Sequence, residues 1–366
     1  MTSHDLKSVA LTLFADGKGI LAADETIPTL TRRFDALGIP STEQSRRTYR
    51  QMLFTAPGAS QFISGAILQD ETIRQKSSAG TAFARLLSHQ GIVPGIKVDT
   101  GAKPLAGSPG ETVTEGLDGL RDRLSEYHGM GAGFAKWRAV IHATDTLPGA
   151  ACIIANAHAL SRYAALCQEQ HLVPIVEPEV LMDGSHTIER CEEVTGMVLD
   201  AVFDALLEQR IALEGMLLKP NMVIAGKQCT RQAPVAEVAT ATLRCLRRHV
   251  PDAVAGIVFL SGGQTPRAAT AHLNAINRLP GENPWKISFS YGRALQDPAL
   301  EAWHGRDENL SAGQQAFLRR ARANSAASVG KYRDEMEGAA SGADVPPIAT
   351  TGSTTDLQAP PAEGAA

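Results

Sequence analysis

EGMLLKPNM, residues 214–222, is an apolar run that ends on Lys219 and is stopped at once by Pro220. The residue before a proline is pushed to extended geometry and the ring removes a backbone donor, so the run reads as a buried strand with Lys219 at its carboxyl end. A lysine there loses hydration, which disfavours the charged form, and a neutral amine is a nucleophile toward carbonyls. The plainer alternative is a lysine that snorkels to the surface from a strand end. What decides between them is whether the same pattern recurs along the chain.

It does recur. GILAAD (19–24) sets Ile20, Ala22 and Asp24 on one face, and GIVPGIKVD (91–99) does the same with Val93, Gly95 and Lys97. QFISGAIL (61–68) lies between them. In GFAKWRAV (133–140) Phe134, Lys136 and Arg138 share a face; in HLVPIVEPEV (171–180) the shared residues are Val173, Ile175, Glu177 and Glu179. AVAGIVFLSGG (253–263) aligns Ile257, Phe259 and Ser261, and WKISFSYGRA (285–294) aligns Ile287, Phe289, Tyr291 and Arg293. Two cations on an otherwise apolar strand are poor core residues, since burying unpaired charge is costly.

Helical patterns separate most of these runs. Ser41 with Gln44 predicts a capping box opening a helix to residue 55, and residues 101–110 read as a loop from their Gly and Pro. TEGLDGLRDRLSEYHG (114–129) reads as one helix, as do 150–170 and about 187–211, and Pro234 and Pro266 each open another. The charge run RDRLSEYH reads as a solvated helix face, and LRRARA near 317–323 as a helix covering the sheet. Tyr49, Phe54, Trp285 and Phe289 are expected in the core.

Eight apolar runs alternating with helices imply a parallel sheet in an α/β protein, and eight repeats predict a closed (β/α)8 barrel of the TIM type. The competing architecture, an open doubly wound sheet, normally carries a glycine-rich turn after its first strand, and residues 24–30 have none. In a barrel the carboxyl ends of the strands converge on one mouth, so Lys136, Glu177 and Lys219 stand side by side with Asp24 facing them. Lys136 and Arg138 are expected to penalise the ammonium form of Lys219, and Glu177 to move protons for it. The SGG loop before Pro266, beside YGR, offers backbone amides and a helix dipole to an anion through Ser261, Gly262, Gly292 and Arg293. Lys97 with Arg32 and Arg33 suits a second anion.

The chain has 366 residues, 43% of them hydrophobic, with net charge −4 and pI near 6.2. That balance argues against general nucleic-acid binding while leaving room for a local cationic pocket. Arginine outnumbers lysine by 25 to 10, so lysines at strand ends stand out. Five cysteines without a CxxC pair are read as reduced thiols in a cytoplasmic protein. No run reaches membrane-spanning length, and the ten histidines form no HExxH or other metal-ligand cluster, so neither a membrane nor a metal is expected. Residues 1–332 are expected to form one barrel domain. Residues 333–366, rich in Ala, Gly, Pro, Ser and Thr, are expected to form a disordered tail.

GKGILAADET, TAPGASQFISGAIL, GIKVDTG, GETVTEGLDGL, AKWRAV, VPIVEPE, LLKPNM, FLSGGQ and SYGRALQ occur in that order, the first starting at Gly17 and the last ending at Gln296, within a resemblance that spans residues 17 to about 332. Together they resemble the successive signatures of class I fructose-1,6-bisphosphate aldolase. The resemblance implies that Lys219 forms a Schiff base with the ketone of fructose 1,6-bisphosphate or dihydroxyacetone phosphate. It implies that Asp24 takes the C4 hydroxyl proton, that Glu177 is acid and base around the iminium, and that Lys136 assists, supported by Glu179 and Arg138. One phosphate would bind at Ser261, Gly262, Gly292 and Arg293, the other at Lys97, Thr29 and Arg33, with the Thr26 hydroxyl nearby. A homotetramer without cofactor or metal is likewise implied, the iminium itself serving as electron sink.

The sequence departs from the animal enzymes in three places. TIPT at 26–29 stands where they have a Ser-Thr-Gly-Ser run, Arg32 stands where lysine is usual, and PPAEGAA stands where they close on tyrosine. The last difference leaves proton exchange on the enamine and the preference for a bisphosphate unassigned. Alternatives are the same chemistry on sedoheptulose 1,7-bisphosphate or fructose 1-phosphate, or a non-catalytic scaffold role.

Overall fold

The computed structural model describes residues 3–338. Eight parallel strands close into a barrel: β1 (Gly19–Ala22), β2 (Ile63–Leu68), β3 (Val93–Lys97), β6 (Phe134–Ile141), β7 (Val173–Val180), β8 (Leu217–Leu218), β9 (Gly256–Phe259) and β10 (Lys286–Tyr291). The strands pair in the order β1-β10-β9-β8-β7-β6-β3-β2, with helices on the outside, so the expected (β/α)8 architecture is the observed one. Between β3 and β6 the chain inserts β4 (Gly101–Pro104) and β5 (Thr112–Glu115), an antiparallel pair.

Period two sorts the strand residues into two apolar layers. Ile20, Ile67, Phe134, Val173, Ile175, Leu217 and Val258 fill the barrel interior. Leu21, Ala66, Ile96, Trp137, Val176, Leu218, Phe259 and Tyr291 pack outward beneath the helices. The helix Ser3–Leu13 closes the amino-terminal end, sending Leu6, Ala10 and Leu13, with Phe14 just beyond it, into the interior cluster. Glycines make that filling possible: a Cβ on Gly256 would meet the Phe14 ring at 2.4 Å, and one on Gly65 would meet Leu13 at 2.6 Å. The floor is therefore packed solid, and only the carboxyl end of the barrel remains for a site.

Several local expectations are corrected. The capping box at the helix Glu43–Phe54 is Thr42 with Ser45, not Ser41 with Gln44. Residues 101–104 and 112–115 pair as strands because Gly107 and Gly110, both at positive φ, turn the chain back on itself. The following helix consequently starts only at Leu120. Residues 26–29 are a helix start: Thr26 is the N-cap of Ile27–Asp35, Pro28 occupies its first turn, and Thr29, Arg32 and Arg33 lie at helical spacing on one face.

The alignment of Ser261 and Arg293 with their strands also fails, since Ile257, Phe259, Ile287, Phe289 and Tyr291 all face the helices. The tail expected from residue 333 begins with a 3-10 turn, Asp334–Glu337, whose Glu337 carboxylate pairs with the buried Arg320 of the LRRARA helix. The remainder of the expected tail lies outside the described residues.

Candidate functional site

The mouth of the barrel encloses a cavity of about 780 Å³. Its lining contains every residue singled out from the sequence: Asp24, Thr26, Thr29, Arg32, Arg33, Lys97, Lys136, Arg138, Glu177, Glu179, Lys219, Ser261, Gly262, Gly292 and Arg293. Lys219 is 3% exposed and follows directly on β8, where its backbone N–H donates to the Val176 carbonyl at 2.8 Å. The parallel register continues through it, and Pro220 then releases the chain from the sheet.

Four side chains form the centre. Lys136 Nζ lies 2.7 Å from Asp24 Oδ2 and 3.2 Å from Glu177 Oε2, while Lys219 Nζ lies 3.2 Å from Glu177 Oε1. Glu177 thus has one oxygen toward each lysine nitrogen. Burial pushes the Asp24 carboxyl up, but the Lys136 and Lys219 charges overcome it and hold the group at about 2. Glu177 follows the same logic: burial opposes ionisation, and Lys136, Lys219 and Arg138 bring it below the ordinary carboxylate value. For Lys136 burial disfavours the charge, yet Asp24 and Glu177 raise its pKa, so it is a fixed cation.

The two cations expected to act on Lys219 are themselves paired. Neither Lys136 nor Arg138 is a bare charge, because Asp24 and Glu177 flank the first and Glu179 contacts the second. What stands beside the Lys219 nitrogen is the Glu177 carboxylate, at 3.2 Å.

The cations around the rim are also partly engaged. Lys97 Nζ donates to the Asp99 backbone carbonyl at 2.7 Å and pairs with the same residue's carboxylate. Arg33 lies between Glu25 and Asp297, 2.8 Å from the latter. Arg32 makes only a 3.5 Å contact to Thr29, and Arg293 forms no ion pair among the described residues. Ser261 and Arg293 reach the cavity because the chain leaves the strand direction before each of them. Gly262 and Gly263 turn the first loop at φ +56° and +78°, a region natural to glycine, and Gly292 caps the helix Arg293–Trp303.

Sequence reasoning missed Glu25, Asp99 and Ser290, which also line the cavity. Glu25 directly follows Asp24, and Asp99 sits two residues past Lys97 on the same strand face; that adjacency was the available signal. Glu25 also receives the buried guanidinium of Arg50 at 2.8 Å, a partner from a helix that no strand pattern could reveal.

Comparison with known proteins agrees with this constellation. The family model described as fructose-bisphosphate aldolase class-I matches residues 5–346. A probable fructose-bisphosphate aldolase class 1 of Xanthomonas campestris pv. campestris is 55% identical over 334 residues, covering 91% of this chain and 100% of the relative. The cytosolic fructose-bisphosphate aldolase 4 of Arabidopsis thaliana is 50% identical, covering 92% and 85%. A solved structure of fructose-bisphosphate aldolase from Plasmodium falciparum superposes with a TM-score of 0.89 at 48% identity, covering 90% of this chain and 96% of that one. A closed eight-stranded barrel, a mouth that gathers two lysines with two carboxylates, and a match across nearly the whole length lead to one conclusion: this chain belongs to the class I fructose-bisphosphate aldolase family.

Proposed function

We propose that this chain cleaves fructose 1,6-bisphosphate reversibly to dihydroxyacetone phosphate and glyceraldehyde 3-phosphate, with Lys219 as the Schiff-base nucleophile. The observation that carries the reading is the contact of Lys219 with Glu177 inside a buried pocket. Glu177, ionised at rest, takes a proton from the ammonium, and the free amine attacks the C2 carbonyl. Both protons shed by the ammonium end in the water that departs, and the iminium keeps the positive charge. Glu177 is the group beside the nitrogen able to carry them.

Asp24, held ionised by Lys136, removes the C4 hydroxyl proton. The C3–C4 bond then breaks, its electron pair flows into the iminium, and the aldehyde leaves. A proton returned to C3 and hydrolysis of the iminium free the amine. Lys136 stays protonated throughout and stabilises negative charge on the two carboxylates and on substrate oxygens. Arg138 on β6 and Glu179 on β7 pair with each other beside this centre and support it. The anionic ends of the sugar bind at Ser261, Gly262, Gly292 and Arg293 on one side and at Lys97, Thr26, Thr29 and Arg33 on the other.

The chain is further proposed to be a cytoplasmic homotetramer. Among the described residues no helix is long and apolar enough to cross a membrane. Ile154 and Leu207 lie exposed on the outer helices Ala150–Glu169 and Ile188–Glu208, apolar surface of the kind subunit contacts cover. Sedimentation velocity measures the assembly.

Borohydride reduction in the presence of substrate, followed by peptide mapping, tests the chemistry. A covalent adduct on Lys219 with loss of activity is expected. Activity that survives reduction but is lost to a chelator overturns the reading, and relative cleavage rates on six- and seven-carbon bisphosphates fix the substrate.

A further inference from the structure

Lys227 lies beyond the cavity lining, yet its ammonium reaches the proposed phosphate loop. The position that a Cβ on Gly263 would take is 3.0 Å from Lys227 Nζ and 3.0 Å from Arg293 Nη2. The two cations are therefore no more than twice that distance apart, both beside a residue that has no side chain. The loop between them is fixed: the Gln264 N–H donates to the Ser261 carbonyl at 2.9 Å, and the Gln264 side-chain oxygen bonds His272 Nδ1 at 2.6 Å. Burial pushes the His272 pKa down to about 4, so the ring is neutral at ordinary pH and Nδ1–H is the donor.

Lys227 is also presented from a fixed backbone. Its N–H donates to the Met182 carbonyl at 2.7 Å, and the neighbouring Gly226 and Gln228 amides donate to His186 and Gly184. The Lys227 ammonium has one carboxylate partner among the described residues, Asp183 at 3.0 Å, and both side chains are largely in solvent, where such a pair is weak. Arg293 has none there. Two like charges this close beside a glycine are relieved by a doubly charged anion, and both are the far ends of flexible side chains that can give way to one.

We propose that Lys227 is a positioning residue for a substrate phosphate: when the phosphate occupies the Ser261–Gly263 loop, the Lys227 ammonium leaves Asp183 and closes over it opposite Arg293. This rests on the reading of the substrate as a phosphorylated ketose. Asp183 then competes with the phosphate for the same ammonium and sets how readily it moves.

The test compares the full-length protein with Lys227→Gln and Asp183→Asn in fructose 1,6-bisphosphate cleavage, and in inorganic phosphate binding by titration calorimetry. Lys227→Gln is expected to raise KM about tenfold with kcat nearly unchanged and to weaken phosphate binding by a similar factor. Asp183→Asn is expected to lower KM by roughly two- to threefold, an improvement that a merely structural role would not produce. Unchanged KM and phosphate affinity in Lys227→Gln, with cleavage intact, overturn the inference and leave the aldolase reading standing. If the parent protein does not cleave the sugar, that reading fails instead, and the phosphate titration alone decides the role of Lys227.

Discussion

The ammonium of Lys136 stands 2.7 Å from the carboxylate of Asp24, joining β6 to the end of β1 across the barrel mouth. The contact keeps Asp24 ionised and fixes where its oxygens point, which a proton acceptor for the C4 hydroxyl requires. Asp24→Asn keeps the shape and removes the basicity. Cleavage should fall by about 10²- to 10⁴-fold, while borohydride still traps a substrate adduct on Lys219, because iminium formation precedes the step proposed for Asp24. Loss of trapping together with cleavage would instead assign Asp24 to the earlier chemistry.

The same pairing makes stability depend on acid. The Asp24 carboxyl lies below its ordinary 3.8, at about 2, so the folded state holds the charged form more tightly than the unfolded chain does. The contribution is complete above the unfolded value and disappears as pH falls through the folded one, and the difference is worth roughly 2 kcal/mol. Denaturant midpoints of the parent protein should drop between pH 5 and pH 3 by more than those of Asp24→Asn. Parallel curves for the two proteins would show that the charge is not stabilised in the fold.

Removing the cation should be worse than removing either anion. Lys136→Met leaves the buried carboxylate of Glu177 and the partly buried one of Asp24 without the cation between them, and breaking a buried pair from one side costs about 3–5 kcal/mol. Urea unfolding should register that loss. Glu177, no longer drawn down by Lys136, should titrate higher, so the acid limb of kcat/KM moves to higher pH in any Lys136→Met enzyme that stays folded. Lys136→Arg keeps the charge and should recover much of the stability but less of the rate, since the planar fork cannot sit between Asp24 and Glu177 as a point charge does.

The sequence spoke most clearly where a strand runs straight to its tip. Asp24, Lys97, Lys136, Glu177 and Lys219 each follow period two from an inward-facing apolar residue, so spacing alone predicted their convergence. Ser261 and Arg293 were found for a reason that does not hold: they share parity with Phe259 and Tyr291, which face the helices, and each lies beyond the last residue of its strand, where that parity no longer applies. The β4–β5 hairpin was hidden because its pairing depends on two glycines at positive φ, whereas its residues read locally as loop and helix. Counter-ions such as Glu25 and Asp99 were invisible for a different reason. A charge at a strand end signals a site from sequence, but which opposite charge already holds it is decided by tertiary geometry.

The depth of the mouth is set one layer lower, where β3 and β6 touch. Gly95 pairs in register with Phe134, and each stands two residues before a lysine that lines the mouth, Lys97 and Lys136. A Cβ on Gly95 would sit 2.3 Å from the Phe134 ring, a distance no real contact shows, so the ring or a strand would have to move. Gly95→Ala should therefore cost about 1–3 kcal/mol by overpacking and should also slow cleavage, because the strands that shift carry both lysines. Phe134→Leu alone should destabilise by leaving a void. In the Gly95→Ala/Phe134→Leu double mutant the added methyl enters the vacated space, and the combined loss should be smaller than the two single losses taken together. Additive losses in a thermal and denaturant double-mutant cycle would mean that the strands relax independently, and that the spacing of Lys97 and Lys136 is set by the mouth and not by this packed layer beneath it.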